Sequence, residues 1–310
     1  MSSTVSTRFL VISDTHDFEF GDAERHEGEF TYPAPKCDVL LHCGDLTMSG
    51  GIPAYERCVK MLGKIDAELK LIIAGNHDLD LDDEYDPKGN SSWDAPDLYK
   101  KAIEVWRGPL VKQAGITYLE EGLNTFTLKN GAKFTIYTSP YQPEFYNWAF
   151  PYERNEDRFN PPDKVSPGVT SIVQNPVPDF PGVDIMMTHG PPKDTLDWTA
   201  HGRVGCQALA TAVSRARPLM YCFGHIHEAY GMELVTWKED KNVMGPEAIQ
   251  KKDKKEEVYP NVMKVDVKPG SETLMVNASI MSVRYRPKNA PWLVDLELPK
   301  ATEVALGSMM

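Results

Sequence analysis

The segment Ile72-Ile73-Ala74-Gly75-Asn76-His77-Asp78 decides the fold of this chain. Three apolar residues lead into a glycine, and an amide, an imidazole and a carboxylate follow without interruption. This pattern predicts a buried strand that ends in a tight turn and presents polar side chains at its carboxyl end. In an open α/β sheet, ligands bind at that edge. Taken alone, the segment also fits an ordinary strand-to-loop transition with His77 and Asp78 in solvent.

Four more segments repeat this pattern along the chain. Apolar runs lead into Asp14-Thr15-His16, Gly44-Asp45, Thr188-His189-Gly190 and Gly224-His225-Ile226-His227. Carboxylate, imidazole and amide oxygen are ligands that suit Zn, Mn and Fe. A structural zinc site more often uses thiolates, and no cysteine of this chain is suitably spaced to supply them. The five segments together predict a transition-metal site.

Composition and charge limit the classes of protein to which the chain can belong. Its 310 residues, 41% hydrophobic and 25% charged, are typical of a globular protein that forms an elaborated α/β domain. No apolar run reaches about 18 residues, and the polar segment from Met1 to Arg8 does not resemble a secretory signal, so we expect a cytoplasmic protein without a membrane span. Five cysteines without a CxxC pair fit free thiols in a reducing compartment. The net charge of -12 argues against binding to DNA or to an anionic membrane.

The order of the predicted elements indicates a mixed α/β sandwich. Residues 9–74 read as strand, loop, strand, helix and strand. Apolar spacing from Tyr55 to Leu69 predicts a helix that begins near Pro53, and further helices are predicted at 97–107 and 205–217. Asn130-Gly131 predicts a two-residue hairpin within 124–137. Other strands are predicted at 115–119, 183–187, 219–223, 261–267, 273–276 and 292–298, and the last three are expected to complete the second sheet.

We expect residues 1–310 to form one domain with loop excursions near 80–110, 139–181 and 236–258. The acidic stretches 17–29 and 80–86 are predicted to be solvated loops, and 238–257 to be a mobile excursion between two strands. The aromatic residues of 141–152 either form part of a functional loop or only attach a long loop to the body of the protein.

The order of the polar segments resembles the calcineurin-like metallophosphoesterases. Further similarity in 41–45, 188–192, 203–206 and 223–228 points to the small metallophosphoesterase-domain branch of that superfamily, which includes brain-expressed animal phosphodiesterases and fungal relatives. The resemblance covers roughly residues 8–298, and 80–110, 141–181 and 236–258 match poorly. It implies a four-layer α/β/β/α sandwich of two mixed sheets flanked by helices.

The resemblance also implies two divalent transition-metal ions, Mn, Zn or Fe, as cofactors. It assigns one metal to Asp14, His16 and His227, the other to Asn76, His189 and His225, and a bridging carboxylate to Asp45. Two divalent ions and two aspartates leave a charge of about +2, so a chain with net charge -12 can still hold a phosphate. Metals ~3.5 to 4 Å apart can bring the pKa of a water between them toward ~7, which makes a hydroxide that attacks phosphorus.

By the same resemblance, His77 is a catalytic residue that stabilises developing charge or protonates the leaving oxygen. The alternative is a histidine that only packs beside the metals. Asp78 is expected either to orient an imidazole or to lie in solvent. Arg203 is a hypothesis for a phosphate contact, and a surface arginine is its alternative.

The remaining histidines have simpler explanations. His42 lies within a predicted strand, so we expect a buried residue with a hydrogen-bond partner rather than a metal ligand. His26 and His201 are expected to be exposed in loops.

A small phosphoester is the expected substrate. Protein Ser/Thr phosphatases of this superfamily continue Gly-Asp with a second aspartate and an arginine, and the segment from Gly44 to Gly50 has neither. The resemblance therefore favours a phosphodiesterase that acts on a small substrate, with cyclic nucleotides among the candidates. Two alternatives stay open: a hydrolase of a non-phosphate ester, lactone or amide that uses 141–152 as an apolar pocket, and a nucleotide-binding scaffold with little activity. The sequence does not determine the oligomeric state.

Overall fold

The computed structural model describes residues 3–21, 28–85 and 95–301. Its strands are β1 (Thr4–Ile12), β2 (Cys37–His42), β3 (Ala67–Ile72), β4 (Ile116–Tyr118), β5 (Gly122–Thr127), β6 (Lys133–Ser139), β7 (Gln142–Pro143), β8 (Pro151–Tyr152), β9 (Glu156–Asp157), β10 (Thr170–Ser171), β11 (Ile185–Thr188), β12 (Trp198–Thr199), β13 (Gly202–Arg203), β14 (Met220–Phe223), β15 (Gly231–Trp237), β16 (Ile249–Lys255), β17 (Met263–Lys264), β18 (Glu272–Asn277) and β19 (Trp292–Pro299). The α-helices are α1 (Ile52–Gly63), α2 (Ala95–Trp106), α3 (Pro109–Gln113) and α4 (Gln207–Ala216).

Two large mixed sheets form the body of the protein. The first has the order β17-β19-β1-β2-β3-β4, and β1 to β4 run parallel to one another. The second has the order β16-β15-β18-β14-β11-β6-β5, with β6, β11, β14 and β18 parallel at its centre. Parallel strands place their carboxyl ends at the same edge of a sheet, so each sheet presents one edge on which polar residues collect.

The two sheets pack face to face, and the side chains of β1 point alternately toward and away from the second sheet. Phe9 and Val11 lie in the apolar layer between the two sheets, whereas Leu10 and Ile12 lie on the outer face of the first sheet. Successive side chains of a strand point to opposite faces, so a strand that is apolar throughout is buried on both sides.

Helices cover both outer faces. Tyr55 and Leu62 of α1 pack with Leu40 on the first sheet, and Leu209 of α4 packs with Tyr221 on the second. The four-layer α/β/β/α sandwich of two mixed sheets is therefore confirmed.

Several local predictions were wrong. The helix that begins near Pro53 ends at Gly63, before the last positions of its apolar spacing, whereas the strand predicted over 69–74 is present as β3 and contains Leu69. The hairpin around Asn130 has a loop of three residues, because Leu128 N donates to Ala132 O at 2.9 Å and Gly131 adopts a φ of +89°.

The C-terminal strands also differ from the prediction. Only β18 joins the second sheet, whereas β17 and β19 extend the first sheet beside β1. Residues 249–255, predicted to be mobile, form the edge strand β16, which pairs antiparallel with β15. Lysines along such an edge hinder pairing with another chain.

The two acidic stretches have different outcomes. Asp82 in 80–86 is buried and accepts a hydrogen bond from Phe150 N at 2.6 Å, so this carboxylate is not solvated as predicted. The stretch 17–29 is described only in part, and Asp17 and Glu19 there form ion pairs with Arg57. Within the described ranges, no helix has the length and apolarity that crossing a bilayer requires.

Candidate metal centre

Five strand ends bring the predicted ligands together. Asp14 and His16 follow β1, Asp45 follows β2, Asn76 and His77 follow β3, His189 follows β11, and His225 and His227 follow β14. The first three strands belong to one sheet and the last two to the other. The site therefore lies where the carboxyl edges of the two sheets meet.

Backbone strain is concentrated in these turns. Asp14, His16, Asp45 and His225 have φ values of +53°, +39°, +54° and +67°, in the left-handed region that favours glycine. Each such residue costs about 1–3 kcal/mol, and this strain is characteristic of functional sites.

Two glycines allow the turns to approach each other closely. A Cβ at Gly75 would lie 2.4 Å from Asp45 Oδ1 and 2.6 Å from His189 Cε1. A Cβ at Gly224 would lie 2.1 Å from Asp14 Oδ2. Residues with side chains at these positions would therefore push the candidate ligands out of place.

The candidate ligands form two groups. In the first, His227 Nε2 lies 3.3 Å from Asp14 Oδ1 and 3.4 Å from His16 Nε2. In the second, Asn76 Oδ1 lies 2.8 Å from both His189 Nε2 and His225 Nδ1.

Asp45 lies between the two groups. Its Oδ2 is 3.5 Å from His16 Nε2 in the first group, and its Oδ1 is 3.4 Å from His189 Nε2 in the second. Each oxygen of this buried carboxylate thus faces a different group, which is the geometry that a bridging carboxylate needs.

Backbone carbonyls set the tautomer of three of the imidazoles. The Nδ1 atoms of His16, His189 and His227 donate to Thr47 O at 3.1 Å, Cys43 O at 2.9 Å and Ser282 O at 3.1 Å. A carbonyl oxygen only accepts, so the proton of each neutral ring lies on Nδ1 and the lone pair lies on Nε2, toward the centre. This arrangement is typical of metal-ligating histidines.

The donor set fits divalent transition-metal ions. The Nε2 atoms of His16 and His227 lie 3.4 Å apart and both face the centre, where both could ligate a cation. The two groups combine carboxylate, imidazole and amide oxygen, and the ligand atoms of Asp14, His16 and His227 all lie within 4.8 Å of one another.

Burial favours the neutral form of three of the four imidazoles, whereas at His227 the hydrogen bond to Asp14 and its negative charge outweigh burial and raise the pKa. Burial lowers the pKa of His189 to about 4 and also lowers the pKa values of His16 and His225, so these rings stay neutral and able to ligate. Burial raises the pKa of Asp45, and the negative charges of Asp14 and Asp78 raise it further. Bound cations would favour the ionised carboxylate.

Asp78 neither orients an imidazole nor lies in solvent, the two alternatives predicted for it. It is fully buried, so it is not a solvated turn residue, and its carboxylate accepts from Gly75 N, Leu46 N and Thr47 N at 2.9 to 3.1 Å. Asp78 therefore joins the turn after β2 to the turn after β3 through backbone groups rather than through an imidazole.

The other predicted histidines lie as expected where the structure describes them. His42 is buried and its Nε2 lies 2.9 Å from Thr15 Oγ1, so it is a satisfied core residue rather than a ligand. His201 is exposed, and His26 lies outside the described residues.

Arg203 is not part of this site. Its guanidinium pairs with Asp194 at 3.1 Å and with Asp197 at 2.8 Å, and it lines a different cavity, beside the start of α4. Two carboxylates already neutralise this arginine, so the hypothesis of a phosphate contact by Arg203 does not fit the structure.

A cavity of about 170 Å³ opens above the candidate ligands. His77 lines it, stacked on Trp148 with ring centroids 3.9 Å apart. The lining also includes four residues that were not predicted to belong to the site: Phe145, Glu228, Val283 and Tyr285. Phe145 lies in the aromatic stretch that the sequence singled out, whereas no motif marked Val283 or Tyr285.

Comparisons with known proteins agree with this geometry. The calcineurin-like phosphoesterase family profile matches residues 7–229. The chain is 31% identical over 303 residues to "Metallophosphoesterase domain-containing protein 1" of Homo sapiens and, to the same extent, of Mus musculus, a match that covers 95% of this chain and 72% of each relative. A crystal structure of a protein from Thermus thermophilus covers 71% of this chain and 82% of its own, with 12% identity and a TM-score of 0.41. The family profile and the human and mouse relatives show that the chain belongs to the calcineurin-like phosphoesterase family.

Proposed function

We propose that this protein is a dinuclear-metal-dependent phosphodiesterase that acts on a small substrate of the cyclic nucleotide type. The observation that carries this proposal is the pair of ligand groups that share Asp45, whose two oxygens lie 3.4 and 3.5 Å from imidazoles of different groups. A single ion would leave one group without a cation. Two ions would give the ligand atoms of both groups a cation to bind.

The residues that would hold the two ions are Asp14, His16 and His227 for one, Asn76, His189 and His225 for the other, and Asp45 for both. When bound, two divalent ions polarise the phosphoryl oxygens and lower the pKa of water, which supplies the nucleophile. The neutral imidazoles and the strained turns keep the ligands in place before the substrate arrives, so little reorganisation accompanies the reaction.

His77 is the proposed proton donor to the leaving oxygen. Its Nδ1 donates to Met48 O at 2.7 Å, which leaves Nε2 as the nitrogen available to a substrate. Trp148 stacks on the ring and restricts its rotation. Burial lowers the pKa of His77, and the negative charge of a phosphoester beside the ring would favour the protonated form again.

The charge of the cavity, once metals are bound, suits an anionic phosphoester. Among the described residues that line it there is no lysine or arginine, and Glu228 adds a negative charge. Two divalent ions with Asp14 and Asp45 leave about +2. Glu228 lowers this charge to about +1, which attracts either ester anion, so the choice of a diester rests on the resemblance to the phosphodiesterase branch.

The test compares phosphoesters on protein of measured metal content. Manganese-loaded wild type is assayed on bis-p-nitrophenyl phosphate, cyclic nucleotides and p-nitrophenyl phosphate. We expect turnover of the diesters, and an Asp45→Asn variant about 100-fold slower, because the neutral amide lacks the negative charge and one of the two oxygens that face the two ligand groups. Asp266→Asn, the same change at an exposed aspartate, serves as the control and keeps the wild-type rate.

Three results would contradict the proposal. Wild type with both metals bound that hydrolyses no phosphoester argues against phosphoester chemistry altogether. Activity confined to a lactone or amide favours the non-phosphate hydrolase. A nucleotide that binds tightly and is recovered unchanged favours the scaffold.

We also propose a cytosolic location and a single domain. All five cysteines are free and buried, which fits a reducing compartment. Both sheets contribute to the apolar layer between them, so neither has a separate core on that side.

A further inference from the structure

Tyr285 stands in a strained conformation at the mouth of the metal cavity. It follows β18 in the loop that precedes β19, and its φ is +54°. A left-handed conformation costs a residue with a Cβ about 1–2 kcal/mol, and a bulky aromatic residue rarely adopts it. Such an outlier, beside a site that holds similar strain, supports a hypothesis of function.

The loop that carries Tyr285 is joined to a candidate metal ligand. Ser282 O accepts a hydrogen bond from Tyr285 N at 2.9 Å and another from His227 Nδ1 at 3.1 Å. Ser282 N also donates to Arg286 O at 2.8 Å, which closes the loop. One carbonyl thus holds both the imidazole of His227 and the backbone of Tyr285.

The ring of Tyr285 packs on three imidazoles of the site. Its centroid lies 4.8 Å from the ring of His16 and 5.4 Å from that of His227, both with near-perpendicular planes, and 6.0 Å from that of His77. His16 is fully buried, whereas Tyr285 is half-buried and lines the cavity. The tyrosine therefore forms the wall between the buried ligand and the open space.

The hydroxyl of Tyr285 is a donor without a protein partner in the described part of the chain, where the side-chain hydrogen bonds of this loop use the side chains of Ser279, Ser282 and Asn289. The cavity lining there also lacks lysine and arginine. A phosphoester has several acceptor oxygens, and few side chains of this lining can donate to them.

We propose that Tyr285 contacts the phosphoester in this cavity and that its hydroxyl donates a hydrogen bond to a phosphoester oxygen, an inference that rests on the proposed function. The strained loop holds the phenol ring in place before binding, so its orientation costs little entropy when the substrate arrives.

The test compares Tyr285→Phe with a matched control, Tyr146→Phe. Tyr146 also has a left-handed φ, +50°, but it is 79% exposed and does not line the cavity. Each variant is loaded with manganese, its metal content is measured, kcat/KM is determined on bis-p-nitrophenyl phosphate, and the affinity for inorganic phosphate is measured by calorimetry.

We expect Tyr285→Phe to bind the same amount of metal as wild type and to lose about tenfold or more in kcat/KM and in phosphate affinity, the usual loss for a hydrogen bond to a charged group. Tyr146→Phe should change neither by more than about twofold. Wild-type values of both quantities in Tyr285→Phe would overturn the inference. Loss of metal from Tyr285→Phe would also overturn it, because the residue would then act only through His227.

Phosphate binding separates this inference from the proposed function. If wild type hydrolyses no phosphoester but binds phosphate, and Tyr285→Phe weakens that binding, the proposed function fails and the role of Tyr285 stands. If wild type hydrolyses diesters and Tyr285→Phe is unchanged, the role of Tyr285 fails alone. Metal-loaded wild type that neither turns over a phosphoester nor binds phosphate overturns both.

Discussion

Replacing Gly224 with alanine adds a single methyl group, yet it should disable the metal centre. Gly224 lies between β14 and His225, and its N–H donates to His189 O at 3.0 Å. An alanine Cβ there would lie 2.0 Å from Ser13 Oγ and 2.1 Å from Asp14 Oδ2. Ordinary van der Waals contact begins at 3.4 Å, which is 1.3 Å more than the distance of 2.1 Å between this Cβ and Asp14 Oδ2. The Asp14 oxygen would therefore have to move away by that difference.

The Asp14 carboxylate cannot retreat without losing other contacts. Its two oxygens accept from His225 N at 3.1 Å each, and it is fully buried. Metal-ligand distances tolerate only about 0.2 Å. We therefore expect Gly224→Ala to bind fewer than two metals per chain and to lose at least about 100-fold in kcat/KM, because a displacement of about 1 Å at a reacting centre has that effect.

The assay combines elemental analysis with hydrolysis of bis-p-nitrophenyl phosphate. Gly231→Ala is the control, since its Cβ would lie 3.2 Å from a methyl group of Leu196, which can yield by a few tenths of an ångström, and 3.8 Å from Ala229 O, which is an ordinary contact. The control should keep its metals and its rate. Gly224→Ala with two metals per chain and the wild-type kcat/KM would show that Asp14 does not hold a metal as we propose.

Three further predictions concern stability. Asp78→Ala leaves three buried backbone N–H groups without their acceptor, so the free energy of unfolding of the metal-free protein in urea should fall by about 3 kcal/mol or more, and an unchanged value would contradict this role. Arg158→Ala leaves the buried carboxylate of Glu121 unpaired and should cost about 3–5 kcal/mol in the same assay, whereas Arg158→Met combined with Glu121→Leu should recover most of it; equal losses in both variants would refute this. Removal of metal by a chelator should lower the melting temperature of the protein. Metal added at 100 times its Kd should raise the free energy of unfolding again by about 2.7 kcal/mol per site. A melting temperature that does not depend on metal would argue against the site.

The sequence alone located the chemistry of this protein. Each candidate ligand follows an apolar run, and the local pattern is sufficient to show that a strand ends there. Parallel strands bring these ends to one edge of each sheet, and the two edges meet, so residues as distant as Asp14 and His227 lie 3.3 Å apart. The alternation of strands and helices along the chain predicts such parallel strands.

The tertiary structure decided which strands pair and what surrounds the ligands. The register of β19 with β1, the burial of Asp82 and the position of Tyr285 had no local signal, since each depends on a partner far away in the chain. Apolar periodicity also runs past the true end of α1 at Gly63, because residues of a helix and of the following strand can face the same core. A local pattern indicates whether a residue is buried and in which kind of element it lies. The free energy of a tertiary contact depends on both residues that form it, and only the folded chain brings the second residue next to the first.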